Sequence, residues 1–137
     1  MPSRVTATPP APPSEAEEHF ARKLAFETDC TDVHAAFRSG AVDFVLLDVR
    51  GAAAYARAHV PGALSLPHRE ITAERMMSWP HETVFVVYCA GPHCNGADQA
   101  ALKIARLGRR AKVMIGGMTG WADEGFAYET GPAVVET

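Results

Sequence analysis

Apolar residues along this chain follow two rhythms. Phe44-Val45-Leu46-Leu47 and Thr83-Val84-Phe85-Val86-Val87-Tyr88 are β-branched, aliphatic and aromatic runs without polar alternation. Such runs predict strands covered on both faces, as in a parallel sheet flanked by helices. The second rhythm has helical spacing. Ala97, Ala100, Ala101 and Ile104 form a stripe behind Asn95, a good N-cap, with Asp98 three residues on and Gly108 as the stop. Val33, Ala36 and Phe37 mark a helix over Asp32–Ser39, ended by Gly40. Ser14 and Glu17 make a capping box ahead of Phe20 and Leu24, so a helix is expected from Ser14 to about Phe26, packed on the domain.

Weaker signals fill the gaps. A helix is expected at Ala52–Tyr55, and the Pro61-Gly62 turn leads into a short strand, Ala63–Leu66. Ile71, Met76, Met77 and Trp79 suggest a short helix on the core, ended by Pro80. Ala111–Ile115 is the last strand candidate. Gly116–Trp121 is a glycine-rich turn at its C-terminal end, placed to bring backbone close to a crevice, and a last helical turn runs to Gly125. Pro9-Pro10-Ala11-Pro12-Pro13 stands against helix and sheet, so residues 1–13 read as a flexible tail. The expected organisation is an N-terminal helical unit over 14–28, one α/β domain over 29–131, and a frayed tail over 132–137.

Composition narrows the class. The 137 residues carry a net charge of −3, which gives no electrostatic case for nucleic acid. No apolar run approaches a membrane span, and the N-terminus lacks the apolar core of a secretory signal. Three cysteines, an odd number, do not suggest a secreted disulfide framework, so a cytoplasmic setting is expected. The six histidines show no ligand spacing, so no metal and no cofactor is expected.

The candidate chemistry lies at Cys89. It closes a buried strand, faces a tight loop, Ala90-Gly91-Pro92-His93-Cys94-Asn95, and precedes a helix whose positive end points back at it. Loop N–H groups and a helix N-terminus both favour an anion, so Cys89 is a candidate nucleophile with a lowered pKa. The alternative is a buried structural cysteine. Cys30 has nothing nearby to activate it and reads as structural or as a bystander. Asp48 and Arg50 end the first strand, where open α/β sheets form their ligand crevice. They stand beside the thiol loop if the two strands are neighbours; otherwise Asp48 caps the next helix and Arg50 is a surface residue. His59 reads as a hydrogen-bonding loop residue.

Four stretches resemble a single rhodanese-like domain. They are Leu46-Leu47-Asp48-Val49-Arg50, then Tyr55 with Ala58-His59-Val60-Pro61-Gly62-Ala63, then Val86-Val87-Tyr88-Cys89, then Gly116-Gly117-Met118-Thr119-Gly120-Trp121. They come in the family order and cover about 42 to 125. The resemblance implies a small five-stranded, mostly parallel sheet with helices on both faces. It implies sulfur transfer by Cys89, from thiosulfate or a low-molecular-weight persulfide to cyanide, a thiol or a protein acceptor. Ala90, Gly91, His93, Cys94 and Asn95 would hold the charged sulfur, with Asp48 and Arg50 supplying potential and order near it.

The loop departs from many rhodaneses, which carry a basic residue where Cys94 stands. It resembles a bacterial subset with a Cys-x-Gly-Pro-x-Cys-Asn loop. Thiosulfate is then expected to be a poor donor. Cys94 opens a second mechanism, in which the two thiols release sulfur by forming a disulfide, as a persulfide reductase or redox switch. Alternatively Cys94 merely fills the helix start. Cysteine-phosphatase chemistry would want Cys-x5-Arg, and Asn95 occupies that arginine position. A metal site on Cys89, His93 and Cys94 lacks a fourth ligand. A non-enzymatic rhodanese-like binding module is the remaining class; those usually lack the loop cysteine.

Overall fold

The structure, a computed structural model, describes residues 1–133. Five strands form one parallel sheet: β1 (Glu27–Thr28), β2 (Val45–Asp48), β3 (Leu64–Ser65), β4 (Val84–Tyr88) and β5 (Arg110–Met114). Their order is β1-β5-β4-β2-β3, so the two apolar runs of the sequence, β2 and β4, are central neighbours. Their register sets Leu46 beside Val86, Leu47 beside Val87 and Asp48 beside Tyr88.

Alternation along the strands divides the core into two layers. Leu46, Val86, Tyr88 and Met114 join Val33, Tyr55, Val60 and Trp121 on one face. Leu47, Phe85, Val87 and Cys89 join Ile71, Met76, Ala97, Ala100 and Ile104 on the other. The first face is covered by α3 (Cys30–Ser39), α4 (Ala52–Arg57) and α7 (Gly117–Asp123), the second chiefly by α6 (Gly96–Arg106). A short 3-10 turn, His68–Glu70, and a single turn, α5 (Ala73–Met76), lie between β3 and β4. Capping accounts for the boundaries. Asp29 accepts from the Asp32 N–H at 2.8 Å to start α3, and Gly40, at φ +75°, ends it.

The N-terminal region differs from expectation. Residues 4–7 form one helical turn, α1 (Arg4–Ala7), capped by Ser3, inside the stretch expected to be a tail. The next helix, α2 (Pro13–Phe26), starts at Pro13 rather than through a Ser14 box, because proline's fixed φ suits the first helical position. It was expected to pack on the domain, yet none of its residues is buried: Phe20 is 59% exposed and Leu24 71%. Glu27 and Thr28, expected to belong to the helical unit, instead form edge strand β1 along β5. Met77, assigned to the core side of its helix, is exposed, whereas Ile71 and Met76 are buried. Of the expected C-terminal tail over 132–137, residues 134–137 lie outside the described residues. Among the described residues no helix is long and apolar enough to cross a membrane.

Candidate active site

Tyr88 is the last residue of β4, so the next side chain, Cys89, turns to the opposite face and meets the start of α6. Cys89 is 8% exposed. The chain then folds back on itself, with the Cys94 N–H donating to the Gly91 carbonyl at 3.0 Å. This turn lays Cys94 over Cys89, and the two sulfurs stand 2.6 Å apart as free thiols. Gly96 opens α6 and donates its N–H to Cys94 Sγ at 3.4 Å. Its missing side chain makes the arrangement possible. A Cβ there would lie 2.8 Å from Cys89 Sγ, 3.3 Å from Cys94 Sγ and 3.3 Å from His68 Nε2.

The glycine-rich stretch after β5 does approach this loop. Met118 N–H donates to the Cys89 carbonyl at 3.1 Å, and Thr119 N–H to the Ala90 carbonyl at 3.0 Å. Thr119 Oγ1 adds a second donor to Ala90 at 3.2 Å. Gly117 sits at φ +55°, where a Cβ would run into the Cys89 carbonyl, so glycine is required by both conformation and space. The first turn of α7 thus clamps the backbone on which the thiol rides.

Electrostatics overturns one expectation. Burial, then its hydrogen bond to Cys94, push the Cys89 thiol up to about 11, against a smaller downward pull from the Ala90 backbone. The lowered thiol is Cys94, which accepts from Cys89 and from the Gly96 N–H near the positive end of α6. The sequence identified the anion-favouring surroundings but assigned their effect to the wrong sulfur. Cys89 is the more enclosed sulfur, while Cys94 is half-exposed and accepts from the Gly96 N–H.

Asp48 is fully buried and accepts from four donors: Arg50 N–H at 3.0 Å, Arg50 Nε at 3.0 Å, Arg50 Nη2 at 2.6 Å and Tyr88 OH at 2.8 Å. Arg50 Nη2 also donates to the Ala58 carbonyl at 2.6 Å, and Tyr88 OH accepts from Val60 N–H at 3.1 Å. Tyr88 belongs to the core layer opposite Cys89. The hydrogen bonds of Asp48 and Arg50 therefore stitch β2, β4 and the α4–β3 loop together, and none reaches either loop sulfur. At longer range the Asp48 charge adds to the rise at Cys89.

Gly91 is buried against Thr119, and the rest of the loop borders solvent. Ala90, His93, Cys94 and Asn95, with Pro92 and Asp98, line an open cleft of about 520 Å³. Asn95 occupies the N-cap position of α6 without using its side chain there; its Oδ1 accepts from Gln99 at 2.7 Å. His59 is buried, stacks on Tyr55 and bonds the Tyr55 carbonyl at 2.8 Å, as a structural histidine does. Cys30 is buried against the Ile115 and Gly117 carbonyls, and desolvation pushes its thiol up to about 11. Sequence reasoning passed over Tyr88 as a polar partner and His68 altogether. The available signal for His68 was positional: it follows a strand that ends at the same, C-terminal, end of the sheet as Cys89.

Comparison with known proteins agrees with the fold. A family model described as a rhodanese-like domain matches residues 29–124. The BH2092 protein of Bacillus halodurans is 39% identical, with a TM-score of 0.83 over 87% of each chain. A helix-turn-helix type transcriptional regulator of Mycobacterium tuberculosis is 35% identical over 98 residues, 71% of this chain and 42% of that protein. The chain thus spans less than half the length of that curated relative. A thiosulfate sulfurtransferase from Pseudomonas aeruginosa shares the fold at 21% identity, with a TM-score of 0.66 over 85% of this chain and 23% of its own.

Proposed function

The chain belongs to the rhodanese-like domain family, and from that premise we propose that it transfers sulfane sulfur, carried as a persulfide on Cys89. The observation that carries this reading is the Cys89–Cys94 pair, two free thiols 2.6 Å apart at the C-terminal end of the central strand. The Cys89 sulfur attacks the outer sulfur of thiosulfate or of a low-molecular-weight persulfide. A new S–S bond forms on Cys89, the donor S–S bond breaks, and sulfite or a thiolate leaves. A thiol, cyanide or a protein thiol then takes the outer sulfur and restores Cys89. The N–H groups of Ala90 and Gly96 are available to the charge on sulfur, as in an oxyanion-type site. Such chemistry needs reduced thiols, which supports a cytoplasmic setting.

The same distance favours a second reading, in which the pair works as a dithiol. Cys94, the lowered thiol, attacks the inner sulfur of the Cys89 persulfide, a Cys89–Cys94 disulfide forms and hydrosulfide leaves. An external thiol then reduces the disulfide. Folded-back chain of this kind is compatible with the roughly 4.4–6.8 Å Cα separation a disulfide requires. Intact mass after incubation with thiosulfate, and separately with glutathione persulfide, tests both. One added sulfur that disappears only in Cys89→Ser is expected for the carrier. Loss of two hydrogens in the wild type, with sulfur trapped in Cys94→Ser, would establish the dithiol reading. The absence of any adduct in all variants would sink both in favour of a binding module.

A further inference from the structure

Gly96 marks a point on which three reactive atoms converge. Cys89 Sγ, Cys94 Sγ and His68 Nε2 all lie within 3.3 Å of the position its Cβ would occupy. The turn that carries the imidazole is held in place by ordinary means. Leu66 N–H donates to the Asp48 carbonyl at 2.9 Å at the end of β3, and Pro67 then turns the chain. The 3-10 turn closes with Ile71 N–H on the His68 carbonyl at 3.2 Å, and buried Ile71 anchors its far side. Lys103 Nζ, from α6, donates to the same carbonyl at 3.0 Å, pinning the turn to the helix that Gly96 begins. His59 is engaged with Tyr55 and His34 in a stack on Phe126, whereas His93 is exposed and lines the outer cleft.

We propose that His68 is the proton-handling residue of the thiol pair, removing a proton as sulfur is accepted and returning it to the donor's leaving thiolate. This rests on the sulfur-transfer reading for its biological purpose, though not for its chemistry. The two thiols start with one proton each, and neutral Nε2 takes one. The remaining proton is shared between the sulfurs and passes to Cys94 as Cys89 attacks the outer sulfur of a persulfide RS–SH. The Cys89–sulfur bond forms, the RS–S bond breaks, and RS⁻ takes the proton from the imidazolium. The products are RSH and the Cys89 persulfide, with no net oxidation. Burial, then the positive charge of Lys103, hold the ring below the usual histidine range, against an opposing backbone hydrogen bond at Gly96. His68 is therefore neutral, a proton acceptor, near pH 7. The titratable groups facing it are Lys103 on α6 and the two thiols themselves.

The test follows two rates against pH in the full chain: alkylation of the thiol pair by iodoacetamide and sulfur uptake from glutathione persulfide, each read by mass. His68→Gln is expected to slow both by at least about ten-fold at pH 7 and to abolish the lower inflection, the modest end of general-base effects. Lys103→Gln removes the positive charge that holds the ring's pKa down, along with its bond to the His68 carbonyl. It is expected to move that inflection to higher pH, whatever its effect on the plateau rate. Added imidazole should restore part of the rate in His68→Ala. The assignment is overturned if His68→Gln keeps the wild-type inflection, whatever its rate, or if Lys103→Gln leaves the inflection unmoved. Alkylation needs no sulfur donor. If the wild type takes up no sulfur while His68→Gln still alters the alkylation profile, sulfur transfer fails and the role of His68 stands.

Discussion

Replacing Asp48 with Asn leaves Arg50 with a neutral partner in a site where its side chain is only 15% exposed. Four donors converge on that carboxylate, so the loss falls on the β2–β4 seam and the α4–β3 loop together. Urea unfolding of Asp48→Asn is expected to show a loss of roughly 2–4 kcal/mol, close to the range for breaking a buried ion pair. A loss below about 1 kcal/mol would mean that the network contributes little net stability. At this scale the sequence was informative wherever chemistry follows chain order. Cys89 at a strand end and Cys94 five residues later were both visible. His68 was not, because it approaches the two sulfurs across the space left by a glycine 28 residues further on, and a missing Cβ leaves no mark in a pattern of polar and apolar letters. The exchange of acidity between the two sulfurs was hidden for a related reason: it depends on how deeply each is enclosed.

Helices α2 and α6 show what periodicity does and does not carry. Both have apolar residues at helical spacing, yet Ile104 is fully buried while Leu24 is 71% exposed. Spacing identifies a face, and only the fold decides whether anything covers it. Leu24→Glu is therefore expected to change stability by less than about 0.5 kcal/mol. Ile104→Ala is expected to cost about 2–5 kcal/mol, the range for emptying a packed aliphatic site. Denaturant midpoints of the two variants, measured side by side, check this; comparable losses would show that α2 is docked in solution. The central strands were legible because burial on both faces leaves them uniformly apolar. Strand β1 was not. It is two polar residues long, and its strand character comes from its pairing with β5.

The molecule as a whole loses stability in alkali for reasons already visible in its thiols. Burial pushes Cys30 and Cys89 up to about 11, whereas an unfolded chain would ionise both near 9. Between those values the unfolded state holds fewer protons at these two sites than the native state, so their contribution to stability is full below that window and falls as pH rises through it; Cys94, held below its ordinary value, acts with the opposite sign. The enclosed Tyr88 hydroxyl, raised chiefly by desolvation and by Asp48, acts with the same sign as Cys30 and Cys89. Thermal midpoints from pH 8 to 11 should fall less steeply in Cys30→Ala than in the wild type. Identical slopes would remove Cys30 from the account. Another consequence at this scale concerns the clamp that α7 places on the cysteine loop. The N–H groups holding the Cys89 and Ala90 carbonyls come from Met118 and Thr119. A ribosome makes those residues only after both thiols have been made. At about 5–20 residues per second, the nascent chain carries unclamped cysteines for a second or more before their holder exists. The thiol pair is thus clamped only once α7 has been made, and reducing conditions matter to it before it can perform any chemistry.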